Sequence, residues 1–323
     1  MDIVIVAQYL RNIEDFEGNN SRFLYLANKL KEDNSNRIEI ITSDFNHGEK
    51  RHFKSVGKLD NVKVTVCHEK GYSKNICLKR FASHKELAKN IKLYLRKREV
   101  PNLIYVAVPS LDVADVCASY CKRNKVKFVI DIQDLWPEAF KMVFNVPIIS
   151  NLFFSPFQRL ANDIYRTADK IIGVSDTYVK RAVSVNKKCI QGTTVYLGTE
   201  RKMFDEYAKK GKKKENIIKI VYIGTLGNSY DLNTVIDAIA LIEEGTRLEF
   251  IIMGDGPLKE KFEKHAQEKG VNAFFYGTIP YRKMVSLLTE CDIAVNPIRK
   301  GSAGSVINKV GDYAMAGLPV INT

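Results

Sequence analysis

The sequence predicts an α/β chain of two doubly wound, Rossmann-like parallel-sheet domains facing a central cleft. Three observations carry that expectation. Short runs rich in Val and Ile alternate with longer amphipathic stretches, the alternation starts again near residue 217, and "DEYAKKGKKKEN" (205–216) between the two series is too polar to join either core. The domains expected are 1–175 and 217–323, with an interdomain connection and surface excursion at 176–216.

In chain order, the first series of strands reads "DIVIVA" (2–7), "IEIITS" (38–43), "VKVTVC" (62–67), "LIYVAV" (103–108), "KFVIDI" (127–132) and "KIIGVS" (170–175). Runs this short and this apolar suit strands buried on both faces. Between them, "NSRFLYLANKLKED" (20–33) sets Phe23, Leu24, Leu26, Ala27 and Leu30 on one helical face, and "LDVADVCASYCKRN" (111–124) follows the same logic. The second series reads "IKIVYIG" (218–224), "LEFIIMG" (248–254), "NAFFYG" (272–277), "IAVNP" (293–297) and "PVINT" (319–323), with helices near 231–244, 257–269, 280–290 and 306–316. Ligands of such sheets bind at the carboxyl ends of the strands, which makes the cleft the expected site.

Composition narrows the function. The chain has 323 residues, 45% of them apolar, enough for two cores of ordinary size. No apolar run approaches the roughly 20 residues of a membrane-spanning helix. The opening "MDIVIVAQYL" lacks a basic n-region and reads as a first strand, so a cytoplasmic chain is expected. Six cysteines lie without paired spacing, and Cys117 and Cys121 stand one helical turn apart, as packed thiols would.

The net charge of +13 is concentrated. Residues 50–98 hold fifteen Lys or Arg against Asp60, Glu69 and Glu86, which points to an anionic partner. Nucleic acid is the weakest candidate, because no aromatic-rich strand motif accompanies the charge. "YSKNICLKRFASHKELAKNIKLYLRKR" interleaves cations with Tyr72, Ile76, Leu78, Phe81, Leu87, Ile91, Leu93 and Leu95, a mixture suited to an anionic membrane surface. A second apolar patch, "VFNVPIISNLFFSPFQRL" (143–160), carries Phe144, Phe153, Phe154 and Phe157 and reads either as an interfacial segment or as a crossover between domains.

Six phrases in register, "IVYIGTLGNSYDLNTVIDAI", "LEFIIMGDGPLKEKFEK", "NAFFYGTIPYRKMVSLLTECDIAVNPI" and "NKVGDYAMAGLPVI" in the second half and "FVIDIQDLWPEAF" and "ADKIIGVSDTYVKRAV" in the first, resemble the family 4 retaining glycosyltransferases, in the branch that builds bacterial capsule and O-antigen. The resemblance covers almost the whole chain. It implies the glycosyltransferase B architecture, a nucleotide-sugar donor held by the C-terminal domain and an acceptor held by the N-terminal one. It also implies a UDP-sugar and no cofactor beyond that substrate.

For the donor, the small residues Gly301–Ser305 and the helix from about Val306 can aim backbone N–H groups and a positive helix end at a diphosphate. Lys309 would neutralise its charge and Asp312 would accept from ribose hydroxyls; the alternative is a solvated Lys309/Asp312 ion pair. Gly254-Asp255-Gly256-Pro257 reads as a tight turn, and Tyr276-Gly277-Thr278-Ile279 would meet the base. Gly224 and Thr225 end the first strand of this half, while Gly18, Asn19, Asn20 and Arg22 open the first helix of the other.

The sequence departs from the resemblance in three places. The first of two glutamates that the resemblance places with seven residues between them is Gly304 here, and the second is Asp312, so the backbone of Gly304, Ser305 and Val306, or groups from elsewhere, would have to steady the sugar. The family's Arg and Lys after the first C-domain strand match Thr225 and Tyr230, which leaves Arg299, Lys300 and Lys309 as the cations. Gln133 stands where many members have a histidine.

Transition-state stabilisation is therefore expected from Lys309, Arg299, Gly304, Ser305 and Gln133, with no assigned nucleophile and no metal, since no Asp-x-Asp pair or His/Cys cluster has ligand spacing. The acceptor expected is a polyprenyl-diphosphate-linked or other glycan, with Lys79, Arg80, Lys85 and Lys89 near its diphosphate at the inner membrane face. A nicotinamide enzyme lacks its Gly-x-Gly-x-x-Gly turn in "AQYLRNIEDFEGNN". The three departures also admit a non-catalytic subunit of this fold that binds a partner enzyme. The resemblance continues beyond "PVINT" with further strand–helix units, so a truncated C-terminal domain of lowered stability is expected.

Overall fold

The computed structural model describes residues 1–10, 12–16, 21–75, 77–139, 147–209, 217–242, 247–299 and 308–323. The chain forms two compact units, Met1–Tyr196 and Leu197–Thr323.

In the first unit the strands β1 (Asp2–Val6), β2 (Arg37–Ser43), β5 (Val62–Cys67), β6 (Leu103–Val108), β7 (Lys127–Ile132), β8 (Lys170–Gly173) and β9 (Thr193–Thr194) form one sheet in the order β5-β2-β1-β6-β7-β8-β9. All its pairings are parallel. β1 is buried at every position, as a Val/Ile run covered on both faces must be. A short antiparallel pair, β3 (Phe45–Asn46) with β4 (Arg51–His52), lies after β2.

Helices α1 (Arg22–Lys31), α2 (Leu78–Lys97), α3 (Leu111–Asn124), α4 (Pro147–Thr167) and α5 (Asp176–Val183) supply the crossovers. Ser110 and Ser175 cap α3 and α5 through their hydroxyls, which accept from Val113 N and Tyr178 N. α1 buries Phe23, Leu24 and Ala27 against Ile3, Ile5, Ile38 and Ile40, the face its spacing predicted.

The second unit holds a five-stranded parallel sheet, β12-β11-β10-β13-β14, from β10 (Ile218–Ile223), β11 (Leu248–Met253), β12 (Ala273–Phe275), β13 (Ile293–Asn296) and β14 (Val320–Asn322). Its strands alternate strictly: Val221, Ile251 and Met253 join Met284, Val285 and Leu288 on one face, while Ile220, Tyr222, Phe250 and Ile252 join Leu232, Ile236 and Phe262 on the other. Helices α6 (Arg201–Tyr207), α7 (Leu232–Ala240), α8 (Lys259–Glu268), α9 (Tyr281–Leu288) and α10 (Asn308–Met315) cover those faces. In each unit the strand order reverses once, at β1/β6 and at β10/β13, and the loops leaving those strand ends are where a doubly wound sheet binds its ligand.

The basic block separates by face. α2 buries Arg80, Ser83, His84, Leu87, Ala88, Ile91 and Leu95. Its outer face carries Lys79, Lys85, Lys89, Lys92, Arg96 and Lys97, with Leu78 and Leu93 as the exposed apolar side chains. Four of the eight apolar residues read as membrane-facing, Tyr72, Leu87, Ile91 and Leu95, are thus core, and Ile76 lies outside the described residues. In the second patch Phe154 is buried and Phe157 packs on Phe81 at 5.4 Å, the crossover reading; Phe144 and the Phe153 side chain lie outside the description. No described helix is long and apolar enough to cross a membrane. None of the six cysteines forms a disulfide, and burial pushes the Cys117 and Cys121 thiols up.

Candidate active site

In the second unit, β10 is followed by Gly224, whose φ is +134°. A Cβ there would stand 3.0 Å from the Lys309 Nζ, and a Cβ on Gly254 would stand 1.8 Å from the Gly224 carbonyl oxygen. Only glycines permit that approach of strand ends to each other and to the lysine. Gly254 N donates to Gly277 O, and Leu226 N to Asp255 O, so the loops after β10, β11 and β12 form one bonded rim.

Lys309, in the first turns of α10, is 5% exposed, and its Nζ has no hydrogen-bond partner among the described residues. It lies 4.1 Å from the Tyr222 ring centroid and 3.8 Å from that of Tyr230. Each ring face returns on the order of 1–2 kcal/mol to an ammonium. That does not offset burial, which pushes the amine down to about 7.

The expected alternative, a Lys309/Asp312 ion pair, does not form. Asp312 Oδ1 accepts from Thr199 Oγ1 at 2.9 Å and Tyr281 OH at 2.8 Å, and burial raises its carboxyl despite those two bonds. Arg299 Nη2 stands 3.7 Å from Asp231 Oδ1, both partly exposed. Thr225, Asp255, Tyr276 and Thr278 are exposed along the rim, with Gly256, Gly277 and Ile279 half-buried between them. Gly304, Ser305 and Val306 lie outside the described residues, as do Gly18, Asn19 and Asn20.

In the first unit, Arg22, one of the expected donor-binding residues, is held by Asp131, through Nε to Oδ2 at 2.7 Å and Nη2 to Oδ1 at 3.2 Å, while Nη1 donates to the Val195 carbonyl. Asp131 is fully buried on β7 and also accepts from Tyr105 OH and Gln133 Nε2, so the Gln133 side-chain nitrogen points there as well. A buried carboxylate in a sheet requires these donors.

Beside the β1 end stands a cluster that sequence reasoning did not find. Arg80 lies 4.6 Å over the Trp136 ring, with Nη1 donating to Asn75 O and Nη2 to Tyr9 OH. His84, stacked on Trp136 with ring centroids 5.7 Å apart, is pushed down to about 3 by burial and by the Arg80 charge. Lys50 reaches Asn75 Oδ1 and the Tyr72 ring from outside. Arg80 therefore belongs to a buried aromatic cluster and is absent from the cationic outer face that carries Lys79, Lys85 and Lys89.

Asp44, His52 and His68 bring ligand atoms within 4.8 Å of one another. The His52 Nε2 already meets the Glu69 carbonyl at 2.7 Å and His68 Nδ1 meets Asp44 at 2.6 Å, which accounts for the grouping by hydrogen bonds.

Two parallel sheets of this topology, each with loops gathered at a reversal point, give the fold of the glycosyltransferase B class. Residues 203–323 match the family model described as Glycosyl transferases group 1, and that domain together with the fold indicates a glycosyltransferase. The chain is similar to Protein CapJ of Staphylococcus aureus, 23% identical over 303 residues, covering 90% of this chain and 70% of that protein. Among solved structures, the lipopolysaccharide outer core galactosyltransferase WaaB superposes at TM-score 0.60 with 15% identity, over all of this chain and 80% of the other. Anabaena HepE, solved with UDP and glucose, does so at 0.63 with 14% identity and the same coverage.

Proposed function

We propose that the chain is a retaining glycosyltransferase of family 4 that moves a hexosyl or N-acetylhexosaminyl group from a UDP-sugar to a lipid-linked glycan in bacterial surface-polysaccharide synthesis. The observation that carries this reading is the Lys309 amine, buried without a counter-ion among the described residues, beside the reversal point of the second sheet. An amine so placed is completed by an anion, and a diphosphate is the anion that a sugar donor brings. The names of the relatives support the donor and the pathway: one is a Cap protein, one acts on lipopolysaccharide, and one was solved with UDP and glucose.

On this reading Lys309, with Arg299 and the 304–306 backbone, takes the diphosphate, and the Asp312 oxygen left over from Thr199 and Tyr281 takes a ribose hydroxyl. Gly254–Gly256 line the donor, and the Tyr276–Ile279 backbone meets the base. The sugar C1–O bond breaks with its electron pair leaving on the diphosphate, the acceptor oxygen bonds to C1 on the same face, and the acceptor proton passes to a diphosphate oxygen. The chain's own contribution is charge stabilisation of the leaving group. Lys79, Lys85 and Lys89 on the outer face of α2 meet the anionic leaflet that presents the acceptor.

Incubation with a panel of UDP-sugars and polyprenyl-diphosphate glycans, read by UDP release and product mass, tests this. Product from a UDP-sugar supports it. A protein that binds donor yet turns over none of the panel is instead the non-catalytic subunit.

A further inference from the structure

Lys309 Nζ is bracketed by two aromatic faces from different segments: Tyr222 comes from β10, and Tyr230 from the loop that precedes α7. The two rings meet each other edge to face, with centroids 5.6 Å apart and planes at 68°. Each ring is anchored independently of the lysine. Tyr222 OH donates to the Thr225 carbonyl at 2.9 Å. Tyr230 bridges Ile298 in an antiparallel pairing, and the flanking bonds Asp231 N to Pro297 O and Arg299 N to Ser229 O tie its loop to the strand end of β13.

Among the described residues, the polar side chains next to this arrangement in sequence have partners of their own. Asp231 faces Arg299, Asp312 faces Thr199 and Tyr281, and the Tyr313 hydroxyl accepts from Ile223 N and donates to the Val295 carbonyl. Gly224 supplies the floor by lacking a side chain.

We infer that Tyr222 and Tyr230 are positioning residues that clamp the Lys309 amine by their ring faces and keep water and carboxylates from it, so that it is free to engage an anionic diphosphate. This rests on the glycosyltransferase reading for the identity of the anion, but the clamp itself is built from the chain's own residues. Its physical content is that a lysine with four rotatable bonds is held in place without an ion pair to any described residue. A salt bridge would hold the chain as well, yet it would have to be broken before phosphate could bind. Two ring faces restrain the amine and leave its N–H donors unspent. Burial, which pushes this amine down to about 7, fits the same arrangement, because the rings exclude the solvent that would keep it charged.

The test uses the full chain and the variants Tyr230→Phe and Tyr230→Leu. First, without nucleotide, the Lys309 side-chain resonance is followed by NMR against pH, assigned by its loss in Lys309→Met. The titration is expected near the wild-type midpoint in Tyr230→Phe, which keeps the ring, and at clearly higher pH in Tyr230→Leu, which admits water. Second, UDP affinity is measured by calorimetry at pH 6.5, on the protonated side of the wild-type midpoint. Tyr230→Leu is expected to weaken binding by about tenfold, the equivalent of one lost ring contact, with Tyr230→Phe within about threefold of wild type.

An unmoved Lys309 titration in Tyr230→Leu overturns the clamp, whatever UDP does. Equal losses in the Phe and Leu variants overturn it too, because the hydroxyl and not the ring face would then matter. A wild-type protein whose Lys309 titrates as expected but which binds no UDP leaves the clamp standing and removes the glycosyltransferase reading of its ligand.

Discussion

Arg22 and Asp131 are joined by two hydrogen bonds, 2.7 and 3.2 Å long, across 109 positions of sequence, with the carboxylate fully buried. The pair fixes the start of α1 to the end of β7. Removing only the cation leaves a buried charge uncompensated, so Arg22→Met is expected to cost about 3–5 kcal/mol in urea unfolding. Adding Asp131→Asn should restore a clear part of that loss. A single variant as stable as wild type would show that the pair contributes no such constraint.

Lys309 gives the chain a pH signature. Its folded-state pKa, pushed down to about 7 from 10.5, lies below the unfolded one, so the unfolded chain holds more protons between those two values. Stability from this group therefore rises as pH climbs from about 7 toward 10.5 and is lost as pH falls through 7. Lys309→Met removes the penalty. It should raise unfolding free energy near pH 7 by about 3 kcal/mol, an advantage that shrinks steadily toward pH 10. A variant less stable than wild type at pH 7 would contradict the burial argument.

The cationic face of α2 predicts membrane behaviour without Arg80. Lys79, Lys85 and Lys89 are exposed, and each lysine near an anionic leaflet contributes about 1 kcal/mol. Reversing all three to Glu should cut cosedimentation with phosphatidylserine vesicles by at least about a hundredfold, and raised salt should mimic it. Unchanged binding would remove the membrane assignment from this helix.

Trp136 is the only tryptophan in the chain, so its fluorescence reports the Arg80 cluster. Its neighbour His84 is pushed down to about 3, and it stays neutral wherever an ordinary histidine would titrate. Emission should therefore be flat between about pH 5.5 and 7.5. Arg80→Met, which removes the guanidinium 4.6 Å above the ring, should change it at every pH. A titration near 6.5 would mean that His84 is open to water.

What the sequence shows about this protein depends on how local the cause is. Strand runs such as "DIVIVA" and "LEFIIMG" announce themselves because burial on both faces demands continuous Val and Ile, and they match Asp2–Val6 and Leu248–Met253 closely. α1 was legible from the spacing of Phe23, Leu24 and Ala27. The β3/β4 pair was not, being two residues a side. Lys309 and Asp312 were legible as a pair of interest, but not their separation, because Thr199 and Tyr281, which take the carboxylate, come from distant segments.

Arg80 was read with its lysine neighbours, and only the helix period of α2 turns it inward against Trp136. Tyr222 looked like one more apolar strand residue, and Tyr230 like a missing cation. Their joint role appears only when β10 and its following loop meet α10.

The most direct test of the central claim is calorimetric titration of UDP into wild type and Lys309→Met at pH 6.5, without added metal. The account predicts saturable UDP binding by wild type and at least about a tenfold loss in the variant, whose fold should be no less stable. Equal UDP affinity in both proteins would contradict it, because the buried amine would then not be the group that receives the diphosphate.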